Sequence, residues 1–301
     1  VGPDERLFLR VIDTGSMKRA ALQAGANPST VTRRLAALEE RLGMKLLNRS
    51  TRRTTPTDAG AAYAEGLRRL LGELDALEAE VSGAADEPRG RLVITSPGDF
   101  GNRFVVPVIA QLLARAPDLE VELIVGSRVF DIAERGIDVA IRIGHLKDSA
   151  LRARRLGFVP RVLVAAPAYL EAHGVPEHPR DLRAHHFVSY ARVTDPQLAL
   201  DGPDGHHQVP MRTRVMVNNV VGAQQLVRAG HGLYLGPRWA YDDDLAAGRV
   251  VEVLPGYASP AFPLSAVYVG GAYVPAKVRA FIDAMVTECA RAPSLQKPAR
   301  A

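Results

Sequence analysis

The stretch Asn27-Pro28-Ser29-Thr30-Val31-Thr32-Arg33-Arg34-Leu35-Ala36-Ala37-Leu38-Glu39-Glu40-Arg41-Leu42 decides how the amino end folds. Val31, Leu35, Leu38 and Leu42 recur every three or four residues, the buried stripe of a helix. At about 100° per residue the opposite face carries Ser29, Thr30, Arg33 and Ala37, with Thr32 and Arg34 on its flanks. Asn27 is a favoured N-cap, and Pro28 suits the first helical position, where its missing N–H costs nothing. Upstream, Leu7, Phe8, Val11 and Ile12 make the buried face of a first helix that ends near Gly15. Ser16 caps a second helix, whose small Ala20, Ala21 and Ala24 let a neighbour approach, and Gly25-Ala26 breaks it. Two helices joined by a tight turn, the second presenting hydroxyls, Arg and Ala, form a helix-turn-helix suited to a major groove.

Working outward, Lys45 to Thr55 reads as a small hairpin, a wing beside that helix. Between Pro28 and Arg53 stand seven basic residues and two acidic ones, an excess as large as the +5 of the whole 301-residue chain. An Arg-rich helix face is often no more than a solvated one, but basic face, turn and wing in series favour a nucleic-acid surface. Thr57 caps a long helix with Asp58 in its first turn. Along it Tyr63, Leu67, Leu70, Leu74, Leu77 and Val81 keep a heptad spacing that predicts dimerisation, packing on its own domain being the alternative. Gly66 and Gly72 lower the helicity of that seam.

Composition changes near Asp86-Glu87-Pro88-Arg89-Gly90. Beyond it, strands at Arg91–Thr95, Leu119–Val125 and Asp138–Ile143, with a helix at Phe104–Arg115 and a shorter one at Val129–Arg135, predict a parallel β-α-β-α-β unit. Phe187–Tyr190 and Thr213–Val217 read as further strands, with Asn218-Asn219 capping a helix that ends at Gly230. Leu264–Val269 is a late strand. Val278, Phe281, Ile282, Met285 and Cys289 line a final amphipathic helix. Ligands of open α/β sheets sit beyond the carboxyl ends of the strands, near helix N-termini. The candidate pocket residues are Ser96, Asp99, Phe100, Ser127, Arg128, Arg142, Gly144, His145, Asn218 and Asn219, facing a small metabolite expected to be anionic.

With 47% apolar and 24% charged residues the chain reads as globular and large enough for more than one domain. One Cys, Cys289, forms no internal disulfide and fits a reducing, cytoplasmic setting. The chain opens on Val1 rather than Met, as expected after processing or trimming. Its first ten residues are charged and periodic, unlike a signal peptide, and no apolar run approaches the roughly 20 residues that span a bilayer. Neighbouring His residues at His185-His186 and His206-His207 point to opposite faces of an extended segment, with no Cys or carboxylate at helical ligand spacing, so no metal is expected. His231, between two glycines, reads as a turn. Nucleophile elbow, phosphate loop and dinucleotide fingerprint are all missing from the sequence, so neither an enzyme nor a cofactor is expected.

The run Gly15-Ser16-Met17…Ala20-Ala21…Asn27-Pro28-Ser29-Thr30-Val31-Thr32-Arg33-Arg34-Leu35…Leu38-Glu39-Glu40-Arg41-Leu42-Gly43…Leu46-Leu47-Asn48-Arg49-Ser50-Thr51-Arg52-Arg53…Thr57-Asp58-Ala59-Gly60 resembles the amino-terminal domain of LysR-type transcriptional regulators. The similarity continues through Arg89-Gly90-Arg91-Leu92, Gly136-Ile137-Asp138-Val139-Ala140-Ile141-Arg142-Ile143-Gly144 and Asp244-Leu245-Ala246-Ala247-Gly248-Arg249-Val250-Val251, and so covers nearly the whole chain. It departs at Met17, Thr32 and Pro56. The resemblance implies an α/β protein overall: a winged helix-turn-helix at 1–58, all-α with a small β wing, then a linker helix at 59–87. An effector domain like a periplasmic binding protein follows at 88–293. Its two α/β subdomains would be 90–161 with 266–293, and 162–265, joined by two crossings that act as a hinge.

The resemblance further implies binding to an interrupted palindrome in double-stranded promoter DNA, as a homodimer or homotetramer, and leaves room for contact with RNA polymerase. Asn27, Ser29, Thr30, Thr32, Arg33 and Arg34 would read bases, while Arg49, Thr51, Arg52 and Arg53 would hold phosphates. The rival reading is a small-molecule-binding α/β module without DNA function, which leaves the basic face of residues 29–53 without a purpose.

Overall fold

A computed structural model describes residues 2–49, 54–81, 87–126, 136–146, 151–190, 197–270 and 274–296. Three helices, α1 (Pro3–Thr14), α2 (Met17–Gln23) and α3 (Pro28–Leu42), pack around Phe8, Val11, Ala20, Val31, Leu35 and Leu38. The expected punctuation is present. Gly15 and Gly43 close α1 and α3 at φ 61° and 67°, the left-handed region glycine enters without a Cβ penalty. Ser16 accepts the Arg19 N–H at the start of α2. Asn27 stands at the N-cap of α3, but its side chain makes no capping bond.

The wing pairs β1 (Leu47–Arg49) with β2 (Thr54–Pro56) antiparallel. Pro56 is the last residue of β2, opposite Leu47, where its missing N–H interrupts no long ladder. Thr57 caps α4 (Asp58–Val81) by accepting the Gly60 N–H at 3.0 Å, and its hydroxyl donates to the Lys45 carbonyl at 2.8 Å. Gly60 is required by contact: a Cβ there would lie 1.9 Å from the Leu46 carbonyl oxygen.

In the larger part β3 (Gly90–Ser96) leads into a continuous helical segment. It starts at α5 (Gly98–Phe100), passes a π turn at Gly101–Val105 and becomes α6 (Val106–Arg115), so helix begins six residues before Phe104. β4 (Leu119–Val125), β5 (Val139–Ile143) and β6 (Arg152–Val159) follow. The expected short helix at 129–135 lies outside the described residues. The chain then crosses into a second α/β unit. This holds β7 (Arg161–Ala165), α7 (Pro167–His173), a 3-10 turn (Pro179–Ala184), β8 (His186–Tyr190), β9 (Gln197–Gly202), β10 (Gly205–Pro210) and β11 (Arg212–Val217). It continues with α8 (Val220–Arg228), β12 (Tyr234–Pro237), α9 (Arg238–Ala246) and β13 (Val251–Glu252). The chain returns through β14 (Phe262–Tyr268) and ends in α10 (Ala276–Arg291).

The first unit's sheet has the order β4-β3-β5-β14-β6, with β3 parallel to β4 and β5, and β14 antiparallel to both its neighbours. The return strand thus starts at Phe262, four residues before the expected boundary at 266, because Phe262 and Pro263 already pair with Val159 and Phe158. The second unit has β12-β7-β13, a parallel β8-β11 pair and a β9-β10 hairpin. The division is bridged at α8 and α9: Trp239, at the start of α9, packs into the first unit's core, and Val220 and Ala240 pack against that core. The Trp239 ring meets those of Phe100 and Phe104 edge-on at 6.1 and 5.7 Å.

Candidate nucleic-acid interface and effector cleft

On α3 the side chains of Asn27, Ser29, Thr32, Arg33, Ala36 and Ala37 are exposed and Thr30 is half-buried, one polar face opposite the core stripe. The Thr32 hydroxyl donates back to the Pro28 carbonyl at 3.0 Å. The seven cations are not equivalent. Arg34 is ion-paired with Asp4 and Arg41 with Glu5, so α1 neutralises two of them, which a count begun at Pro28 overlooks. Lys45 lies 3.2 Å from Glu39. Arg33 alone of the three arginines on α3 makes no hydrogen bond or ion pair with a described residue. Thr51, Arg52, Arg53 and the Arg49 side chain lie outside the described residues.

Glu39 is 3% exposed and fixes the wing's root. Its Oε1 accepts the Leu46 and Leu47 N–H groups at 2.9 and 3.1 Å. Burial alone would raise its carboxyl, but those two bonds and Lys45 outweigh that and hold it below the usual carboxylate range.

The linker seam divides in two. Leu67 is buried in the winged domain and Tyr63 packs against its core, with the Tyr63 ring 5.8 Å from that of Phe8. These two heptad positions therefore serve the protomer itself, because α4 lies along α1. Further along, Leu70 is 49% exposed and Leu74 half-buried, while the side chains of Leu77 and Val81 lie outside the described residues.

Between the two α/β units lies a cleft of about 790 Å³. Asp99, Phe100, Arg142 and Gly144 line it. Of the other expected residues, Ser96, His145, Asn218 and Asn219 do not. Ser96 is 2% exposed, with its hydroxyl on the Pro97 carbonyl. His145 and Asn218 are exposed away from the cleft, and Asn219 is committed to capping α8 through the Gly222 N–H. Ser127 and Arg128 lie outside the described residues. The cleft adds residues that local patterns did not flag: Arg161, Ser189, Thr213, Tyr234, Trp239 and Phe262. A signal for Arg161 existed in its place directly after Pro160, at the first crossing between units.

Burial lowers the guanidinium pKa of both Arg142 and Arg161, the latter partly offset by Tyr234. Arg142 donates to Thr95 Oγ1 at 3.5 Å. Arg161 donates to Ser259 Oγ at 2.6 Å and the Pro260 carbonyl at 3.2 Å, and lies 4.3 Å over the Phe262 ring. Burial also raises the Tyr190 and Tyr234 phenols, with Asp99 adding to both, so they remain O–H donors at neutral pH. Asp99 reaches across the cleft, its Oδ2 accepting the Val220 N–H of α8 at 2.6 Å.

One His/Asp group whose members are not at helical spacing comes together through the β9-β10 hairpin: His178, Asp204 and His207. Asp204 accepts from His178 Nε2 at 2.7 Å and His207 Nε2 at 3.0 Å. Hydrogen bonds from His207, then His178 and Tyr257, outweigh desolvation and hold its carboxyl well below the usual range. Since His178 Nδ1 accepts the Arg180 N–H at 3.2 Å, a neutral His178 carries its proton on Nε2, the atom a metal would need. The group is a hydrogen-bonded tie between the hairpin and the 3-10 turn.

The family of bacterial regulatory helix-turn-helix proteins of the lysR type matches residues 4–61, and the LysR substrate binding domain matches residues 85–290. The chain belongs to the LysR-type regulator family. It is 33% identical to the HTH-type transcriptional regulator PtxR of Pseudomonas aeruginosa, over 95% of this chain and 92% of that protein. Among solved structures, the full-length Vibrio cholerae virulence activator AphB superposes with a TM-score of 0.59 at 30% identity, covering 94% of this chain and 98% of that one. CrgA of Neisseria meningitidis gives 0.60 at 29%, covering 96% and 98%. The chain is therefore a DNA-binding transcriptional regulator with an effector-binding domain, and its relatives are regulators rather than enzymes. Among the described residues no helix is long and apolar enough to cross a membrane.

Proposed function

We propose that this regulator grips an interrupted palindrome as a dimer paired through the far half of α4, each protomer laying α3 in a major groove. Asn27, Ser29, Thr30, Thr32 and Arg33 face the bases, while the wing residues Arg49, Thr51, Arg52 and Arg53 meet phosphates. Arg34 is a brace to α1 rather than a reader, because Asp4 already holds it. The cleft lined by Asp99, Phe100, Arg142 and Gly144 takes the effector, which biases the dimer between arrangements of unequal affinity for it.

The observation that carries the reading is the exposed polar face of α3 on which Arg33 has no partner among the described residues while Arg34 and Arg41 are tied back. Gel-shift titration on the promoter region beside the regulator's own gene tests it. Affinity should fall with salt by a slope of about −0.9 per phosphate neutralised. Arg33→Ala should cost about 1–3 kcal/mol of specific binding and relax selectivity at one position. A flat salt response would instead favour a ligand-binding module without DNA function.

A further inference from the structure

We infer that the cleft selects a ring-bearing monocarboxylate and turns dicarboxylates away, an inference that rests on reading this cleft as the effector site. Arg161 supplies the anchor. It lines the cavity, is partly desolvated, and among the described residues its hydrogen-bond partners are neutral, a hydroxyl and a carbonyl, with no carboxylate in ion-pair reach. Buried cations are ordinarily paired. Nε and one terminal nitrogen are committed to Ser259 and Pro260, and stacking on Phe262 fixes the guanidinium plane, leaving Nη1 for an anion. The anchor is thus rigid before any ligand arrives.

The rest of the lining describes the body of that ligand. Ile141, Val159, Val188 and Leu198 form apolar walls, and the rings of Phe100 and Trp239 stand among them. A cavity of this volume and character buries an apolar, ring-sized molecule rather than a small hydrophilic acid.

Asp99 sets the limit on charge. Besides the Arg161 and Arg142 guanidinium groups, the N-terminus of α8 is a place in the cleft where an anion would settle, and Asp99 Oδ2 already accepts its Val220 N–H. A second carboxylate that reached that helix end would have to displace Asp99 or lie beside it, like charge against like charge.

Binding to the full-length protein is measured by calorimetry with benzoate, 3-phenylpropionate and 1-naphthoate, each beside its neutral amide, and with terephthalate as the diacid. At least one monocarboxylate should bind tenfold or more tightly than its amide and than terephthalate. Arg161→Gln should remove the preference for acid over amide, and Asp99→Asn should narrow the monoacid-to-diacid gap to about threefold or less. Amides binding as well as acids, or terephthalate binding as well as benzoate, overturns the inference without needing either variant to fold. Binding by none of the acids, in protein that still shifts promoter DNA, overturns the ligand class and leaves the regulator standing. Loss of the DNA shift itself counts against the proposed function instead.

Discussion

Replacing Glu39 by Gln or Ala should loosen the wing from the recognition helix. Glu39 is buried at the far end of α3, where its carboxylate receives two backbone N–H groups at the root of β1. Hydrogen bonds to a charged acceptor contribute about 1.5–3 kcal/mol each and neutral ones about 0.5–1.5. Glu39→Gln, which keeps the shape, should therefore cost about 1–3 kcal/mol across the pair and turn an amide N–H₂ toward Lys45. Glu39→Ala orphans both buried N–H groups at about 1–3 kcal/mol each, a total of about 2–6 kcal/mol. Against the 5–15 kcal/mol that holds a typical domain together, the Ala variant is near the threshold of unfolding. Because the carboxyl of the folded protein lies below its ordinary value of 4.5, its contribution is complete above that pH. It is lost as the pH falls from there through the folded value. Urea unfolding followed by far-UV circular dichroism at pH 7 and between pH 5 and 3 measures both effects. If Glu39→Gln unfolds within about 0.5 kcal/mol of wild type and with an unchanged acid limb, the clamp contributes nothing and the argument fails.

Asp244 is fully buried with Arg228 Nε on one oxygen at 2.7 Å and Arg249 Nε on the other at 2.5 Å. Asp244→Ala removes two charge-assisted hydrogen bonds from partly exposed guanidinium groups and should lower stability by about 1.5–3 kcal/mol, read as a fall in thermal midpoint. Leu74→Asp places a charge on the portion of α4 beyond the winged domain and should shift sedimentation toward monomer, whereas an unchanged profile would reject that part of the seam as an interface. Cys289 is fully buried in α10 and its thiol is pushed up to about 12, chiefly by burial, so a disulfide-exchange reagent should label it only after denaturant is added.

What the chain reveals of itself depends on distance along it. Ser16, Gly43 and Thr57 were readable because a cap or a stop is settled by residues within one helical turn, and the Val31–Leu42 stripe because periodicity is local. The onset of helix at Gly98 was hidden, since Pro97, Gly98 and Gly101 look like loop. Only the packed structure shows Gly101 seated so tightly that a Cβ would lie 3.1 Å from Val125. The site residues divide the same way. Asp99 and Arg142 follow from strand ends, but the pairing of Arg34 with Asp4 spans 30 positions and that of Asp99 with Val220 spans 121, and no periodicity encodes either. Arg161 escaped because it is defined by Ser259 and Phe262, which lie about a hundred residues away.

The indole of Trp239 works like a tenon: the opening turn of one lobe is mortised into the aromatic socket of the other, beside the two strands of chain that join them. A wide clamshell swing would have to draw that ring into water at a cost of roughly 3 kcal/mol, and a millimolar ligand has only about 4 kcal/mol to offer. The lobes are thus built to tilt by small angles around a seated pivot rather than to swing wide open.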